Sequence, residues 1–414
     1  MKHSDKRILT SHVGSLIRPP ELQAHLRAQL EGKGYDPAAH AKCLKRSVAA
    51  IVREQAKTGI DVVSDGEYGK ALSWSNYVLE RLSGFERRRL PKEAADPFAR
   101  GADRKRFAAF YSEMDAADAR AAGGGGGGIK YESVCVGPIR YTGQAALQRD
   151  IANFKAALAK VDVAEAFMPV AAPASVIPDR RNEYYKTDEE LVYAIADAMH
   201  DEYQAIVDAG FLVQVDDARA AVTYDRMVPP KTFAQYRKWL SLHQEALNHA
   251  LRGIPEDRIR YHVCWGSWPG PHTSDVPMRD IADLILKVRA GAYALEMANP
   301  RHEHEWQDWK DIKLPAGRVL LPGVISHATN IVEHPELVAE RITRLARLVG
   351  RENVIASTDC GFAQGPFHRR VHPSVQWAKL EALVGGARLA SQALWRRPAR
   401  SAGSGRATSR ARAA

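Results

Sequence analysis

Short runs of β-branched and aromatic residues recur along this chain, and each is followed by a longer stretch in which apolar residues have helical spacing. This alternation predicts a parallel sheet with helices packed outside it. Because the unit repeats roughly eight times, the pattern favours a closed α/β barrel, the (β/α)8 or TIM barrel, as a single catalytic domain. An open doubly wound sheet is the alternative, although no Gly-x-Gly-x-x-Gly follows any of the runs.

The positions of the predicted elements follow from these runs. The candidate strands are Ile60–Val63, Ser133–Val136, Phe211–Val215, Arg260–Cys264, Tyr293–Met297, Val319–Val324 and Val354–Thr358, with Val13–Ser15 and Ala166–Val170 as weaker candidates. The candidate helices are Ala41–Thr58, Glu189–Ala209, Pro230–Arg252, Met278–Ala290 and Pro335–Val349. A barrel has eight strand places, so one of these candidate strands must belong elsewhere.

Two segments depart from this rhythm. Residues from about 91 to 130 are charged and alanine-rich and contain six consecutive glycines, Gly123–Gly128, which predicts a flexible insertion. Residues 396–414 contain six arginines, no acid and no large apolar residue. Such a segment cannot bury enough surface to offset its ordering entropy, so we expect an arginine-rich disordered tail. The barrel is then expected to occupy residues 1–395.

Charge and composition narrow the class of protein. The formal net charge is +10, but six of these charges lie in the tail, which leaves +4 for residues 1–395. A nucleic-acid-associated protein using the basic tail is therefore an alternative that explains little else. We see no signal peptide and no apolar run of about eighteen residues, so we expect no membrane segment and a cytoplasmic location. Four cysteines in 414 residues do not indicate a disulfide framework.

Four polar residues stand at the ends of predicted strands, where a barrel builds its active site. His262 and Cys264 are two residues apart and therefore point to the same face of one strand. Glu296 ends the next strand, and Cys360 follows another. One imidazole, two thiolates and one carboxylate form the kind of ligand set that Zn²⁺ prefers. Each cysteine taken alone is more typical of a small buried hydrophobic residue than of a metal ligand.

Other potential ligands are weaker. His302 and His304 flank Glu303 but lack the helical spacing of a metalloprotease helix. We expect His272 to contact the site only indirectly. We expect Cys43 to be a packing residue of a helix, and Cys135 to line the barrel mouth without binding metal.

Motifs spread along the chain carry a family resemblance. They are His12–Leu16, Ser64–Glu67, Gln214–Asp217, His262–Cys264, Glu296 and Asp359–Gly361. From about Thr10 to Trp395 the chain resembles the catalytic domain of cobalamin-independent methionine synthase and its single-domain relatives, among them epoxyalkane–coenzyme M transferases. The resemblance implies a (β/α)8 barrel with zinc bound by His262, Cys264, Glu296 and Cys360.

The same resemblance assigns roles to further positions. The matching residues are Val13, Gly14 and Ser15 for the carboxylate of homocysteine, Glu67 and Asp216 for its amino group, and His327 as the proton donor to the leaving group. It implies an S-methyltransferase of methionine biosynthesis, similar to 5-methyltetrahydropteroyltriglutamate–homocysteine methyltransferase. Of the zinc ligands, we expect Glu296 to exchange when the thiol arrives, because carboxylate oxygen is the hardest donor.

The identity of both substrates stays open at this point. The methylfolate enzymes place an arginine where this chain has Val134 and an acid where it has Val222, so the donor is either a methylfolate or a corrinoid. The thiol partner is homocysteine or coenzyme M, and opening of an epoxide by coenzyme M is the alternative reaction. A zinc barrel that binds a ligand without turnover is a further alternative, and a homo-oligomer is compatible with the sequence.

Overall fold

The computed structural model of the chain describes residues 1–91, 100–121 and 131–396. Eight strands form the main sheet and are numbered in chain order as β1 (Leu9–Thr10), β2 (Val62–Ser64), β3 (Glu165–Ala171), β4 (Leu212–Asp216), β5 (Ile259–Val263), β6 (Ala292–Leu295), β7 (Val319–Ile325) and β8 (Ile355–Thr358). Hydrogen bonds link them in the order β1-β8-β7-β6-β5-β4-β3-β2, and every pair is parallel.

Hydrogen bonds also bring β1 and β2, the two ends of this order, together. The backbone N–H of Asp61 donates to the carbonyl of Thr10 at 3.1 Å, and the hydroxyl of Ser11 donates to the carbonyl of Val62 at 3.1 Å. The sheet is thus closed into a ring, and the predicted (β/α)8 barrel is confirmed.

The helices pack outside the sheet. They are α1 (Pro20–Glu31), α2 (Pro37–Thr58), α3 (Ala102–Arg106), α4 (Ala108–Ala121), α5 (Gln144–Leu158), α6 (Asp188–Asp208), α7 (Ala218–Met227), α8 (Phe233–Ala250), α9 (Ala282–Ile285), α10 (Pro335–Val349) and α11 (Pro373–Trp395). Short 3-10 helices cover Asn76–Glu80, Glu256–Arg258, Met278–Asp280, Glu303–Lys310 and Arg351–Asn353. In the described residues, no helix combines the length and apolar character that crossing a bilayer requires.

One predicted helix is wrong in its extent. The segment from Met278 to Ala290 forms a 3-10 turn followed by the four-residue helix α9. The backbone N–H of Met278 donates to the carboxylate of Glu305 at 3.0 Å, which ties the start of the segment to a neighbouring loop. The apolar spacing therefore did not predict the break between the 3-10 turn and α9.

Two predicted strands differ from those in the structure. Val13–Ser15 is a loop, and the first strand is the shorter β1 that precedes it. Gly14 in this loop has φ +127°, a left-handed conformation that interrupts a strand, and a Cβ there would lie 2.7 Å from Pro169. The strand predicted at Ser133–Val136 exists as Tyr131–Cys135, but it belongs to a separate sheet.

That second sheet accounts for the surplus candidate strand. Tyr131–Cys135 pairs antiparallel with Phe85–Arg89 and parallel with Arg181–Asn182. Cys135 is fully buried there, and it is not among the residues that line the cavity at the barrel mouth.

The predicted insertion contains ordered structure in its described part. Residues 100–121 form α3 and α4, and Asp103 of α3 accepts hydrogen bonds from the backbone N–H and the hydroxyl of Thr273 at 2.9 and 2.7 Å. The run Gly123–Gly128 lies outside the described residues, as does the predicted arginine-rich tail beyond Arg396.

Side-chain alternation along the strands decides which residues face the barrel interior. On β6, Ala292 and Ala294 pack inside with residues of β7 and β8, whereas Tyr293 faces outward and its hydroxyl donates to the carbonyl of Val288 at 2.8 Å. Because alternate residues share a face, Glu296 continues the inward row at the carboxyl end of the strand. The strand register therefore directs this carboxylate into the barrel mouth.

Candidate metal centre

Three potential metal ligands converge at the carboxyl ends of the barrel strands. His262 lies on β5, Cys264 follows that strand directly, and Cys360 lies two residues beyond β8. One ligand atom from each of the three lies within 4.8 Å of the other two. We call these residues the barrel-mouth cluster. Residues almost one hundred positions apart in sequence are thus brought together by the parallel topology.

His262 is oriented as a metal ligand would be. Its Nδ1 lies 3.2 Å from the carbonyl oxygen of Ala294, which can only accept, so Nδ1 carries the proton. Its Nε2 is buried and has no hydrogen-bond partner among the described residues. A histidine held by a backbone carbonyl through one nitrogen, with the other nitrogen exposing its lone pair to two sulfurs, is the usual arrangement at zinc sites.

Glu296 lies beside the barrel-mouth cluster but outside its 4.8 Å limit. One carboxylate oxygen accepts from the backbone N–H of Trp265 at 3.1 Å, and the other accepts from the amide of Asn299 at 2.9 Å. A hydrogen bond also connects it with Cys264. The carboxylate is therefore held at the edge of the cluster by two donors.

The ionisable groups at the barrel mouth strongly shift one another's pKa values. Burial and the negative charges of Asp359 and Cys360 together raise the pKa of Glu296 to about 8. The hydrogen bond between the cysteines lowers the pKa of Cys360 and raises that of Cys264. Burial lowers the pKa of His262, but the adjacent Cys360 outweighs it and raises the value to about 9. Such crowded donors are stabilised by a bound cation.

A cavity of about 270 Å³ opens from the barrel-mouth cluster, and all three of its residues line the wall. Four of the five residues that the resemblance assigns to substrate binding line the same cavity: Val13, Ser15, Glu67 and Asp216. Gly14 lies behind the wall, where its missing side chain lets the loop pack against Pro169 and Glu67.

Glu67 and Asp216 give one side of the cavity a negative character. Lys70 donates to Glu67 at 2.9 Å, and the amide of Gln214 donates to Asp216 at 2.9 Å. Burial raises the pKa of Asp216 to about 7, while His262 lowers it and the charge of Glu67 raises it. These two carboxylates are placed to accept an ammonium group.

His327 is buried next to the cluster but does not line the cavity. Neither ring nitrogen has a hydrogen-bond partner of good geometry among the described residues. Burial lowers the pKa of His327 to about 4, although the charge of Cys360 acts in the opposite direction.

The other histidines near the site belong to a separate group, the histidine–carboxylate network of His272, Asp275, His302 and Glu305. His302 lies 3.0 Å from Glu305 through Nδ1 and 3.0 Å from Asp275 through Nε2, and His272 lies 3.0 Å from Asp275. The ring of His302 packs 4.8 Å from that of Trp265. The network thus supports the loop that follows Cys264, in agreement with an indirect role for His272.

Several residues of the cavity were missed by reasoning from the sequence. Arg219, Val222 and Arg226 line it from α7, and Trp268 lines it from the loop after Cys264. The signal for the first three was their spacing of three and four residues, which places them on one face of a helix that begins next to Asp216.

Cys43 is buried in α2, as expected of a packing residue, but it also belongs to a second group of potential ligands. Glu21, His25 and Cys43 each offer a ligand atom within 4.8 Å of the other two. We call these residues the helix cluster, because all three lie on α1 and α2.

A parallel (β/α)8 barrel with thiol and imidazole groups at its strand ends defines an α/β-barrel protein with a candidate metal site. Residues 138–379 match the family described as "Cobalamin-independent synthase, Catalytic domain". Since the match covers more than half of the chain, this protein belongs to that family.

Individual relatives are distant but cover most of the chain. The methionine synthase of Thermococcus kodakarensis is 22% identical over 334 residues, 77% of this chain and 76% of the relative. The 2-hydroxypropyl-CoM lyase of Xanthobacter autotrophicus is 23% identical over 417 residues, 94% of this chain and 96% of the relative. A B12-independent methionine synthase structure from Shewanella has the same fold, with a TM-score of 0.67, 18% identity and coverage of 94% and 99%.

Proposed function

We propose that this protein is a zinc-dependent S-alkyltransferase that methylates the thiol of homocysteine to give methionine. The observation that carries the proposal is the convergence of His262, Cys264 and Cys360, whose potential ligand atoms lie within 4.8 Å of one another on the wall of a cavity. His262, Cys264 and Cys360 would hold the zinc, with Glu296 as the fourth, exchangeable ligand. When bound, zinc keeps a substrate thiol deprotonated and therefore nucleophilic at neutral pH.

The protein's own residues would orient the amino acid. Glu67 and Asp216 would accept its ammonium group, because both carboxylates line the cavity and are buried. The loop Val13–Ser15 would take its carboxylate. Gly14 allows this loop to lie against Pro169, which sets the position of the two neighbouring residues. Fixing both ends of a zwitterion leaves its side chain a single direction in which to extend.

His327 would supply a proton to the leaving group. It is neutral at pH 7, since burial lowers its pKa to about 4. Negative charge raises this pKa, as Cys360 already does, so negative charge that develops on a nearby leaving group would favour uptake of a proton from solvent water by the ring. The imidazole could then protonate the leaving group as bond breaking proceeds.

The Xanthobacter relative favours a second candidate reaction, because it matches along 94% of this chain. In that reaction the thiol would be coenzyme M and the electrophile a short epoxide. Carbon–sulfur bond formation would open the ring, and the resulting alkoxide would take a proton. The same donor cluster and the same proton donor would serve.

We also propose that residues 1–395 form one catalytic unit and that the protein is cytoplasmic. The described strands of the barrel run from residue 9 to residue 358 within one closed sheet. All four cysteines are free, as a thiolate site in a reducing compartment requires.

Metal analysis with X-ray absorption, with and without homocysteine, tests the proposal. We expect one zinc per chain with two sulfur ligands, and three sulfur ligands after homocysteine is added. Activity with homocysteine plus methylfolate or methylcorrinoid, compared with coenzyme M plus epoxypropane, separates the two reactions. Unchanged sulfur coordination with either thiol would overturn both, and a third sulfur without turnover would indicate a binding protein.

A further inference from the structure

Three arginines gather around one aspartate beside the cavity, and a fourth arginine is its neighbour in sequence. Asp179 accepts hydrogen bonds from Arg226 at 2.5 Å and from Arg100 at 3.0 Å, and Arg219 lies 3.4 Å away. Arg180 follows Asp179 in sequence and donates to a backbone carbonyl at 2.8 Å. Arg219 and Arg226 line the same cavity as the barrel-mouth cluster.

Positive charge is in excess in this group. Burial and the charge of Arg226 together lower the pKa of Arg219 to about 10, although Asp179 acts in the opposite direction. Burial also lowers the pKa of Arg180 to about 10, with Asp188 and Asp179 only partly opposing it. The Nε of Arg180 is buried without a hydrogen-bond partner among the described residues. Arg219 and Arg226 therefore share the carboxylate of Asp179, and an additional anion beside them would be stabilised.

A purely structural role accounts for only part of this arrangement. One ion pair between Asp179 and α7 would suffice to join the loop to the helix. The helix instead presents Arg219, Val222 and Arg226 on one face, and all three line the cavity. Partly buried arginines on a cavity wall are well suited to bind a planar or tetrahedral oxyanion.

Arg18 follows the loop Val13–Ser15 but does not reach the cavity wall. Its guanidinium donates to the backbone carbonyls of Glu67 and Lys70 at 2.5 and 3.1 Å. Arg370 also lines the described cavity wall, but it lies near His327, the proposed proton donor. Arg219 and Arg226 of α7 are therefore the pair of arginines on this wall that lies apart from His327.

We propose that Arg219 and Arg226 form a subsite for a carboxylate or sulfonate carried by one of the two substrates. The inference rests on the proposed function, since it concerns the same cavity. The buried carboxylate of Asp216 disfavours an anion on its side of the cavity, whereas the charge of Glu67 is paired with Lys70. The anionic group is therefore directed to the wall formed by α7. A reaction in which neither substrate carries an extra anionic group is thereby disfavoured.

Calorimetry with two thiol-free probes, ethanesulfonate and glutarate, tests the subsite in the zinc-loaded protein. Charge-assisted hydrogen bonds of this kind are worth roughly tenfold or more in affinity. We expect at least one probe to bind, and Arg219→Gln/Arg226→Gln to weaken its binding about tenfold. The matched control is Arg344→Gln, which removes an arginine paired with Glu340 on α10 and should leave binding unchanged.

Competition experiments identify the substrate that carries the anion. If the probe and homocysteine bind together, the anionic group belongs to the alkyl donor. If ethanesulfonate competes with 2-mercaptoethanesulfonate but not with 2-mercaptoethanol, the group belongs to the thiol.

A third variant covers the case in which the double variant does not fold. Asp179→Asn removes the competing carboxylate, so we expect it to bind the probe roughly threefold more tightly; a structural cross-link predicts no gain. Absence of probe binding, equal loss in Arg344→Gln, or unchanged affinity in a folded Arg219→Gln/Arg226→Gln protein would overturn the subsite. Sulfur coordination measured on the same samples tests the proposed function separately.

Discussion

In the part of the chain that the structure describes, two groups of histidine, cysteine and carboxylate side chains meet a distance criterion for metal binding. The barrel-mouth cluster is set at strand ends, and its histidine is held by a backbone carbonyl. The helix cluster lies at the surface, and the side chain of its Glu21 is 62% exposed. Arg46 lies 2.5 Å from that carboxylate and 3.8 Å from the sulfur of Cys43.

The comparison shows that ligand type and proximity do not define a metal site by themselves. In the helix cluster an arginine already neutralises the carboxylate, and a metal ion would have to displace it into water. In the barrel-mouth cluster the negative groups raise one another's proton affinity, so a metal ion relieves a repulsion. The second arrangement is the one that favours a cation.

The largest effect is expected for Cys360→Ser. Removing one of two thiolates should lower zinc affinity by more than about a hundredfold, beyond the loss typical of a residue that only orients a ligand. We expect zinc content, measured by elemental analysis after dialysis, to fall from about one per chain to nearly none, with loss of alkyl transfer. A folded Cys360→Ser protein that retains full zinc would contradict the assignment of zinc to the barrel-mouth cluster.

His327→Gln should separate chemistry from metal binding at the barrel mouth. The loss of a general acid typically costs about a hundredfold or more in rate. We therefore expect kcat to fall by about that factor while zinc content and the shift to three sulfur ligands are retained. Equal kcat in the variant and the parent protein would show that the proton comes from another group.

Asn299→Ala tests how much the second hydrogen-bond donor to the Glu296 carboxylate contributes to metal affinity. The amide of Asn299 holds Glu296 at 2.9 Å, and loss of such an orienting group typically costs about 10- to 100-fold in metal affinity or activity. Competition with a zinc chelator measures the change. An affinity equal to that of the parent protein would mean that Trp265 alone holds the carboxylate.

Much of this contrast could be predicted from the sequence. The predicted strands agree with β5, β6 and β8 to within one or two residues, because each is a short run that contains β-branched or aromatic residues. The spacing of His262 and Cys264 also predicted that the two side chains share one face of a strand. The helix cluster could not be predicted, because neither the exposure of Glu21 nor the approach of Arg46 follows from helical spacing.

Other features depend on contacts between distant segments. Strand β1 has only two residues, too few for an alternation pattern. The arginine group depends on a loop with positive φ at Ile177 and Asp179, and non-glycine residues in that conformation are not predicted by local propensity.

The barrel-mouth cluster also borders a charged network whose contribution should depend on pH. Burial lowers the pKa of His302, but Asp275 and Glu305 outweigh it and raise the value to about 10. Because the pKa of His302 is higher in the folded protein than in the unfolded chain, its protonation stabilises the fold. This stabilisation is complete below about pH 6.5, the pKa of a histidine in the unfolded chain, and it is lost as pH rises toward 10. Denaturant unfolding between pH 7 and 9.5 should show an excess slope of roughly 1 kcal/mol per pH unit relative to His302→Gln. Parallel pH profiles for the two proteins would refute this contribution.

Cys43→Ser should have the smallest effect on zinc. The sulfur of Cys43 lies 3.9 Å from the hydroxyl of Ser47 within α2, and a serine there can bond to the helix backbone instead. We expect about 1 kcal/mol or less of destabilisation, measured by denaturant unfolding, with zinc content and alkyl transfer equal to those of the parent protein. Since the change removes one thiol, as Cys360→Ser does, it controls for the loss of a cysteine as such. Loss of the zinc in Cys43→Ser, with retention in Cys360→Ser, would reverse the assignment of the two clusters. The ion would then bind at the helix cluster, beside the exposed carboxylate of Glu21 and the guanidinium of Arg46, and not at the buried donors of the barrel mouth.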